Sequence, residues 1–188
     1  MSVFTNPAGR APEDAAAYVT AVLGLLGNRD PREVLASTLA ELLSLIRGLD
    51  ATELATPEAE GKWSMAEVLQ HLADSELVWG YRMRRVLAEE RPVLTGYDQD
   101  LWASRLRYAN ADVELALGAF EALRAMHLRM LGTAREAELA RCGVHAERGE
   151  ESLAHMVRLY AGHDLLHLAQ LARIRRRLRP GEASGAEA

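Results

Sequence analysis

Apolar residues recur along this chain at intervals of three and four positions, the spacing that gathers side chains on one face of an α-helix. No stretch of strand length alternates apolar and polar residues, so the pattern predicts an all-α fold. The predicted helices cover residues 12–26, 31–49, 65–89, 98–108, 111–131 and 151–178, the fourth of them short and lying in a crossover.

Helix start and stop signals divide the chain. Asp30-Pro31 and the capping box of Ser64 with Glu67 open two helices, and Asn110 is the predicted cap of a third. We predict an N-terminal arm and short helix over residues 1–29, and a disordered tail over 181–188. An all-α bundle over residues 30–180 lies between them, with a long crossover that contains the short helix. The segments 50–61 and 132–149 are predicted to be irregular.

Two histidines, His163 and His167, lie one turn apart in the last helix. Both belong to the row that faces the core, so they are either hydrogen-bonded core residues or a metal-binding pair. That row consists of Met156, Leu159, Tyr160, His163, His167, Gln170, Leu171 and Ile174.

A third histidine favours the metal-binding alternative over the hydrogen-bonded core residues. His71 shares its helix face with Val68, Ser75 and Val78, so it also points inward. If the two helices pack side by side, three neutral imidazoles can hold one ion and leave positions open for water or substrate. That is the arrangement of a catalytic site and not of a structural one.

These residues resemble the DinB-like (YfiT-like) superfamily of bacterial helical-bundle proteins. The resemblance covers about residues 30–178, and its motifs are Trp63-Ser64, the run from His71 to Glu76, Phe120 with Arg124, Gly149 with Leu153, and the run from His163 to Gln170. It implies a four-helix bundle that binds divalent zinc or nickel through His71, His163 and His167, and a homodimer. Members include metal-dependent hydrolases, transferases that use a low-molecular-weight thiol, and a thiol-dependent isomerase.

Several polar residues are expected to surround the three ligands. Asp74, Tyr160 and Gln170 each lie one turn from a ligand histidine and are candidates for orienting it, although polar groups at bundle seams often simply bond across helices. His127 and Arg124 lie on the inner row of the helix over 111–131. His127 is the substitute ligand if one of the three fails, and otherwise a core residue, whereas Arg124 needs a carboxylate or an anionic ligand.

Other chemically active residues are given structural roles. Glu76 and Asp164 lie off the ligand faces and are expected to bond to neighbouring helices or loops. His145 and Cys142 are placed in a loop, the cysteine as an inert surface thiol. The three tryptophans are expected to anchor the core or an interface: Trp63, Trp79 and Trp102.

Composition and charge narrow the class of protein. A formal charge of −5 gives no electrostatic basis for nucleic-acid binding, and no apolar run is long enough to span a membrane. The single cysteine excludes an internal disulfide and is consistent with a reducing compartment. We therefore expect a cytoplasmic protein that acts on a small molecule, and the DinB-like resemblance implies that it is a homodimer.

Three neutral imidazoles leave a divalent ion its full charge, which favours an anionic ligand such as a thiolate. The sequence-based hypothesis is a metal-dependent enzyme that activates a low-molecular-weight thiol for transfer. A hydrolase that uses a metal-activated water is the first alternative. A non-catalytic metal or small-molecule binding module and a plain bundle that binds nothing are the others.

Overall fold

The computed structural model describes residues 12–181 and confirms the all-α four-helix bundle. Its long helices are α2 (Pro31–Ile46), α4 (Met65–Ala88), α6 (Val113–Thr133) and α8 (Leu153–Leu178), preceded by α1 (Pro12–Leu26). Helix α8 contacts α1, α2 and α4, while α4 also contacts α6. The last helix is therefore the one against which most of the bundle is assembled.

Side-chain caps fix where the long helices begin. Asp30 accepts hydrogen bonds from the amides at the start of α2, and Pro31 occupies the first turn. Ser64 and Glu67 form the predicted capping box of α4, which sets the direction in which the following turns point. The cap of α6 is Asp112 and not Asn110 as predicted, because the Asp112 carboxylate accepts from the first amides of the helix.

The region after α2 differs from the prediction. Helix α2 ends at Ile46 and not near residue 49. Gly48 then adopts a left-handed backbone conformation with a φ of 75°, which glycine adopts without steric cost. The segment predicted to be a linker contains α3 (Ala51–Ala55), whose start is held by a capping box between Asp50 and Glu53. A local polar pair thus nucleates one helical turn that apolar periodicity does not indicate.

The bundle also carries one small sheet, and the prediction that residues 132–149 are irregular is wrong. Three short strands, β1 (Val93–Leu94), β2 (Cys142–His145) and β3 (Gly149–Ser152), form one sheet, in which β1 pairs parallel to β2 and β2 antiparallel to β3. Cys142 and His145 are therefore strand residues, and His145 is buried. Strands of two to four residues are too short to show an alternating pattern, and β1 pairs with a distant segment.

The remaining short elements lie at the ends of the bundle. They are α5 (Gln99–Arg105), a 3-10 turn (Tyr108–Asn110) and α7 (Glu136–Leu139). None of the helices in the described range is long and apolar enough to cross a membrane. The predicted loose arm, up to residue 11, and the predicted tail beyond residue 181 lie outside the described residues.

Candidate metal centre

The three predicted ligand histidines meet between α4 and α8. His71, His163 and His167 are 1%, 6% and 2% exposed, and one ring nitrogen from each lies within 4.8 Å of the others. The Nε2 atoms of His71 and His163 are 3.1 Å apart. Three nitrogens that each lie about 2.1 Å from one tetrahedral ion are roughly 3.4 Å from one another, so the spacing fits a single metal.

Burial keeps two of these imidazoles neutral. It lowers the pKa of His71 well below its ordinary value, with further lowering from the neighbouring His167 and His163. Burial, followed by the charge of His163, lowers the pKa of His167 to about 3, although Gln170 and Asp164 act in the opposite direction. A neutral imidazole offers a lone pair, which is the form that binds a metal.

Gln170 fixes which nitrogen of His167 carries the proton. The Nδ1 atom of His167 lies 2.9 Å from Oε1 of Gln170, and an amide oxygen can only accept a hydrogen bond. The proton of the neutral ring is therefore on Nδ1, and the lone pair on Nε2 is left for an ion. Of the predicted orienting residues, Gln170 is the one that contacts a ligand histidine in this way.

The other two rings carry buried nitrogens without partners. Within the described chain, Nδ1 of His71 and Nδ1 of His163 make no hydrogen bond. Nδ1 of His163 is 4.0 Å from Oδ1 of Asp164, which is also unpartnered among residues 12–181. The Nε2 atoms of the same two rings face each other at 3.1 Å, which requires a shared proton or a cation between them, so the pair fits a bound cation.

Aromatic and hydroxyl groups border the three histidines. The ring of Trp63, predicted to be an anchor, lies 5.1 Å from the ring of His71, centroid to centroid. Ser75 Oγ is 3.4 Å both from His71 Nε2 and from the hydroxyl of Tyr97. Sequence reasoning missed Ser75 as a site residue, although it lies one turn from His71, and nothing in the sequence indicated Tyr97.

Two surface cavities flank this arrangement. A cleft of about 680 Å³ has Trp63, Glu67 and Ala103 in its wall, and a pocket of about 230 Å³ is lined by Tyr97, Arg82 and others. Each cavity therefore touches one of the aromatic residues that border the histidines. The three histidines themselves line neither cavity.

Two of the predicted orienting residues do not contact the ligands. Asp74 accepts hydrogen bonds from the hydroxyl of Tyr108 and from Gln70. The hydroxyl of Tyr160 donates to Glu76. Asp74 and Tyr160 each bond to a residue of another element. A one-turn spacing from a ligand histidine was therefore not sufficient to predict which residues orient the ligands.

A buried ionic network lies beside the metal centre and explains Arg124. Its Nε is 2.9 Å from Glu76 Oε1, and its Nη1 is 2.8 Å from Asp164 Oδ2. His127 Nδ1 lies 2.8 Å from the other oxygen of Glu76, so His127 belongs to this network and not to the three-histidine cluster. Burial raises the pKa of Asp164, but Arg124 and His163 together outweigh burial, and the pKa falls below its ordinary value.

Comparison with known proteins gives the family. A sequence profile of the DinB superfamily matches residues 35–171, a range that includes all three histidines. The chain belongs to the DinB superfamily. A Bacillus cereus relative named "putative metal-dependent hydrolase" is 31% identical over 138 residues, which is 73% of this chain and 79% of the relative. A Bacillus mycoides relative of the same description is 30% identical over the same shares.

A solved DinB-like structure agrees with the fold. YfiT from Bacillus subtilis, described as "a probable metal-dependent hydrolase with an unusual four-helix bundle topology", has a TM-score of 0.73 and 26% identity to this chain. The match covers 78% of this chain and 85% of YfiT. The DinB-like resemblance inferred from the motifs is thereby confirmed.

Proposed function

We propose that this DinB-superfamily protein binds one divalent ion through His71, His163 and His167 and is an enzyme that activates a nucleophile there. The observation that carries the proposal is the convergence of three buried imidazoles, two of them held neutral by burial. A closed structural site uses four protein ligands, whereas three leave room for a reacting molecule. Zinc and nickel both suit an imidazole ligand set.

A divalent ion at this site would act as a Lewis acid and lower the pKa of a coordinated thiol or water. The protein holds the ligands ready for that ion. Gln170 keeps the lone pair of His167 directed at the centre, and Trp63 covers the ring of His71. Because the histidines are nearly inaccessible, little bulk water competes with a substrate that enters.

The nucleophile that fits these surroundings best is a thiol. In the part of the chain that the structure describes, the nearby carboxylates are already engaged: Asp74 with Tyr108, and Glu76 and Asp164 with Arg124. Hydrolysis by water usually uses such a carboxylate as a general base, whereas a coordinated thiol loses its proton without one. We propose that a low-molecular-weight thiolate attacks an electrophilic small molecule, forming a carbon–sulfur bond as the leaving group departs.

Hydrolysis is the second candidate, and the names of the relatives favour it. The Bacillus relatives and YfiT are all described as metal-dependent hydrolases. In that reaction the hydroxyl of Ser75, beside His71, and the hydroxyl of Tyr97, beside Ser75, would exchange protons with the reacting water. In both proposals the partners are a small-molecule substrate and a second copy of the chain, in the cytoplasm.

Parallel assays of one preparation separate the two reactions. 1-Chloro-2,4-dinitrobenzene is offered with cysteine, glutathione or coenzyme A, and 4-nitrophenyl acetate is offered without thiol, each with zinc, nickel or a chelator. We expect the S-aryl product to form faster than in protein-free solution only when thiol and metal are both present, and this excess rate to be lost in His163→Ala but not in His155→Ala. Metal-dependent ester cleavage without thiol, and S-aryl formation no faster than in protein-free solution, would contradict thiol transfer and establish hydrolysis.

A further inference from the structure

Arg82 on α4 is a buried cation without a carboxylate partner. Its side chain is 3% exposed, and one terminal nitrogen donates to the carbonyl of Thr95. Its Nε makes no hydrogen bond, and no carboxylate oxygen within residues 12–181 comes within ion-pair distance of it. The guanidinium otherwise faces the ring of Trp79, 5.7 Å from the ring centroid. Native proteins seldom leave a buried guanidinium in this state.

A second unpartnered donor lies close by. Nδ1 of His145 accepts a hydrogen bond of 3.2 Å from the amide of Glu147, so the proton of the neutral ring is on Nε2. That Nε2–H is buried and has no acceptor in the described part of the chain. His145 pairs with Leu94 in the sheet, and Leu94 precedes Thr95, whose carbonyl accepts the hydrogen bond from Arg82. Burial, followed by the charges of Arg148 and Arg82, lowers the pKa of His145 to about 3.

The neighbouring carboxylates do not neutralise Arg82. Glu151 is held by Arg148 through two contacts, at 2.5 and 2.9 Å. Glu147 lies over Gly96 on the same side of the fold. Burial, and then Arg148, lower the pKa of Arg82 to about 10, against smaller opposing effects of Tyr97, Glu151 and Glu147. The cation is therefore held in an environment that an added anion would improve.

This region connects to the metal centre. Arg82 lines the pocket of about 230 Å³ together with Thr95, Tyr97 and Trp102. The hydroxyl of Tyr97 is 3.4 Å from Ser75 Oγ, and Ser75 Oγ is 3.4 Å from His71 Nε2. Arg82 and His71 are on the same face of α4, three turns and roughly 16 Å apart along its axis. A ligand that reaches both is extended.

We propose that Arg82, with the Nε2–H of His145, binds a carboxylate at the far end of the ligand whose reacting atom lies at the three histidines. A guanidinium presents a planar pair of donors that matches a carboxylate. Only the position of the reacting atom rests on the proposed function. The carboxylate belongs either to the thiol or to the electrophilic acceptor.

Binding to metal-free protein tests the subsite separately from the reaction. Isothermal titration compares succinate with succinamide, and glutathione with its diethyl ester, so that each pair differs in its carboxylates. We expect wild-type protein to bind succinate at least tenfold more tightly than succinamide. Arg82→Gln removes this preference, Arg82→Lys retains part of it, and His145→Gln weakens it. Arg85→Gln is the matched control, because Arg85 lines the same pocket but is already bound to Glu89.

The glutathione pair assigns the source of the carboxylate. A preference for glutathione over its ester that depends on Arg82 places the carboxylate on the thiol, whereas an Arg82-dependent preference for succinate alone places it on the acceptor. Equal binding of succinate and succinamide by wild-type protein, or the same preference in Arg82→Gln, would overturn the subsite. Because no metal is present, none of these results depends on whether a thiol is the nucleophile.

Discussion

The Nε2 atoms of His71 and His163 lie 3.1 Å apart, although the two residues are 92 positions apart in the chain. Both rings are buried, and their other nitrogens have no partners among the described residues. Two ring nitrogens at this distance are stable only if a proton or a cation lies between them. His167, whose proton is fixed on Nδ1, completes a set of three that favours the cation.

Metal content should depend on all three histidines together. Replacing His71, His163 or His167 with alanine removes one of three ligands, so we expect the bound metal, measured by elemental analysis of protein without a histidine tag, to fall well below one ion per chain. Helix content should change little, because the bundle has its own core. His155→Ala is the control on α8. One bound metal ion per chain in His71→Ala would show that His71 is not a ligand.

Gln170 should affect metal affinity without acting as a ligand. Gln170→Ala frees Nδ1 of His167, so the ring no longer has one fixed tautomer and orientation. Loss of such a partner typically weakens metal binding by about 10- to 100-fold. Chelator competition measures this change, and Gln70→Ala is the control, since Gln70 lies on α4 and donates to Asp74 of the same helix. An unchanged dissociation constant would show that the hydrogen bond does not orient His167.

Helical periodicity was sufficient to predict an all-α fold and the inward faces of the three histidines, because both depend on which residues share a helix face. The four-helix bundle and the use of the three histidines as one ligand set were implied by the DinB-like resemblance. His163 and His167 lie one turn apart on a row of buried residues, and His71 lies on another. The same reasoning missed the sheet, because β1 and β2 are distant in sequence and too short to show a pattern.

The hydrogen-bond partners of polar residues were harder to predict than the helix faces on which these residues lie. Asp74 was placed correctly on α4 near His71, yet it bonds Tyr108, and Tyr160 bonds Glu76. A one-turn spacing says that two side chains can meet, but the packing of other helices decides which contact forms. Tyr97 comes from a turn without periodicity, so only the folded chain brings it to Ser75.

Arg124 should contribute strongly to stability. Arg124→Ala removes from the core the arginine that both Glu76 and Asp164 contact. Breaking such a buried pair by removing one partner costs about 3–5 kcal/mol of the free energy of unfolding. Urea denaturation measures it, with Arg135→Ala as the control, since the exposed pair of Arg135 with Glu138 should be worth less than about 1 kcal/mol. Equal effects of the two substitutions would contradict a charged core network.

His145 should make the metal-free protein less stable in acid. The unfolded chain binds a proton at this histidine below a pH of about 6.5, whereas the folded chain does so only near 3. Its stabilising contribution is therefore complete above pH 6.5 and is lost as the pH falls toward 3. Between pH 7 and 4, His145→Gln should lose less stability than wild type, by on the order of 2–3 kcal/mol. Curves of unfolding free energy against pH that run parallel for His145→Gln and wild type would contradict this prediction. His155→Gln is the control.

The most direct test of the central claim is the visible and near-ultraviolet spectrum of cobalt-substituted protein titrated with cysteine, glutathione or coenzyme A. If the three histidines hold an ion that activates a thiol, at least one of these thiols should produce a sulfur-to-metal charge-transfer band that is absent in His163→Ala and present in His155→Ala. Saturated cobalt binding with no such band for any of the thiols, together with metal-dependent ester cleavage in their absence, would contradict thiol activation.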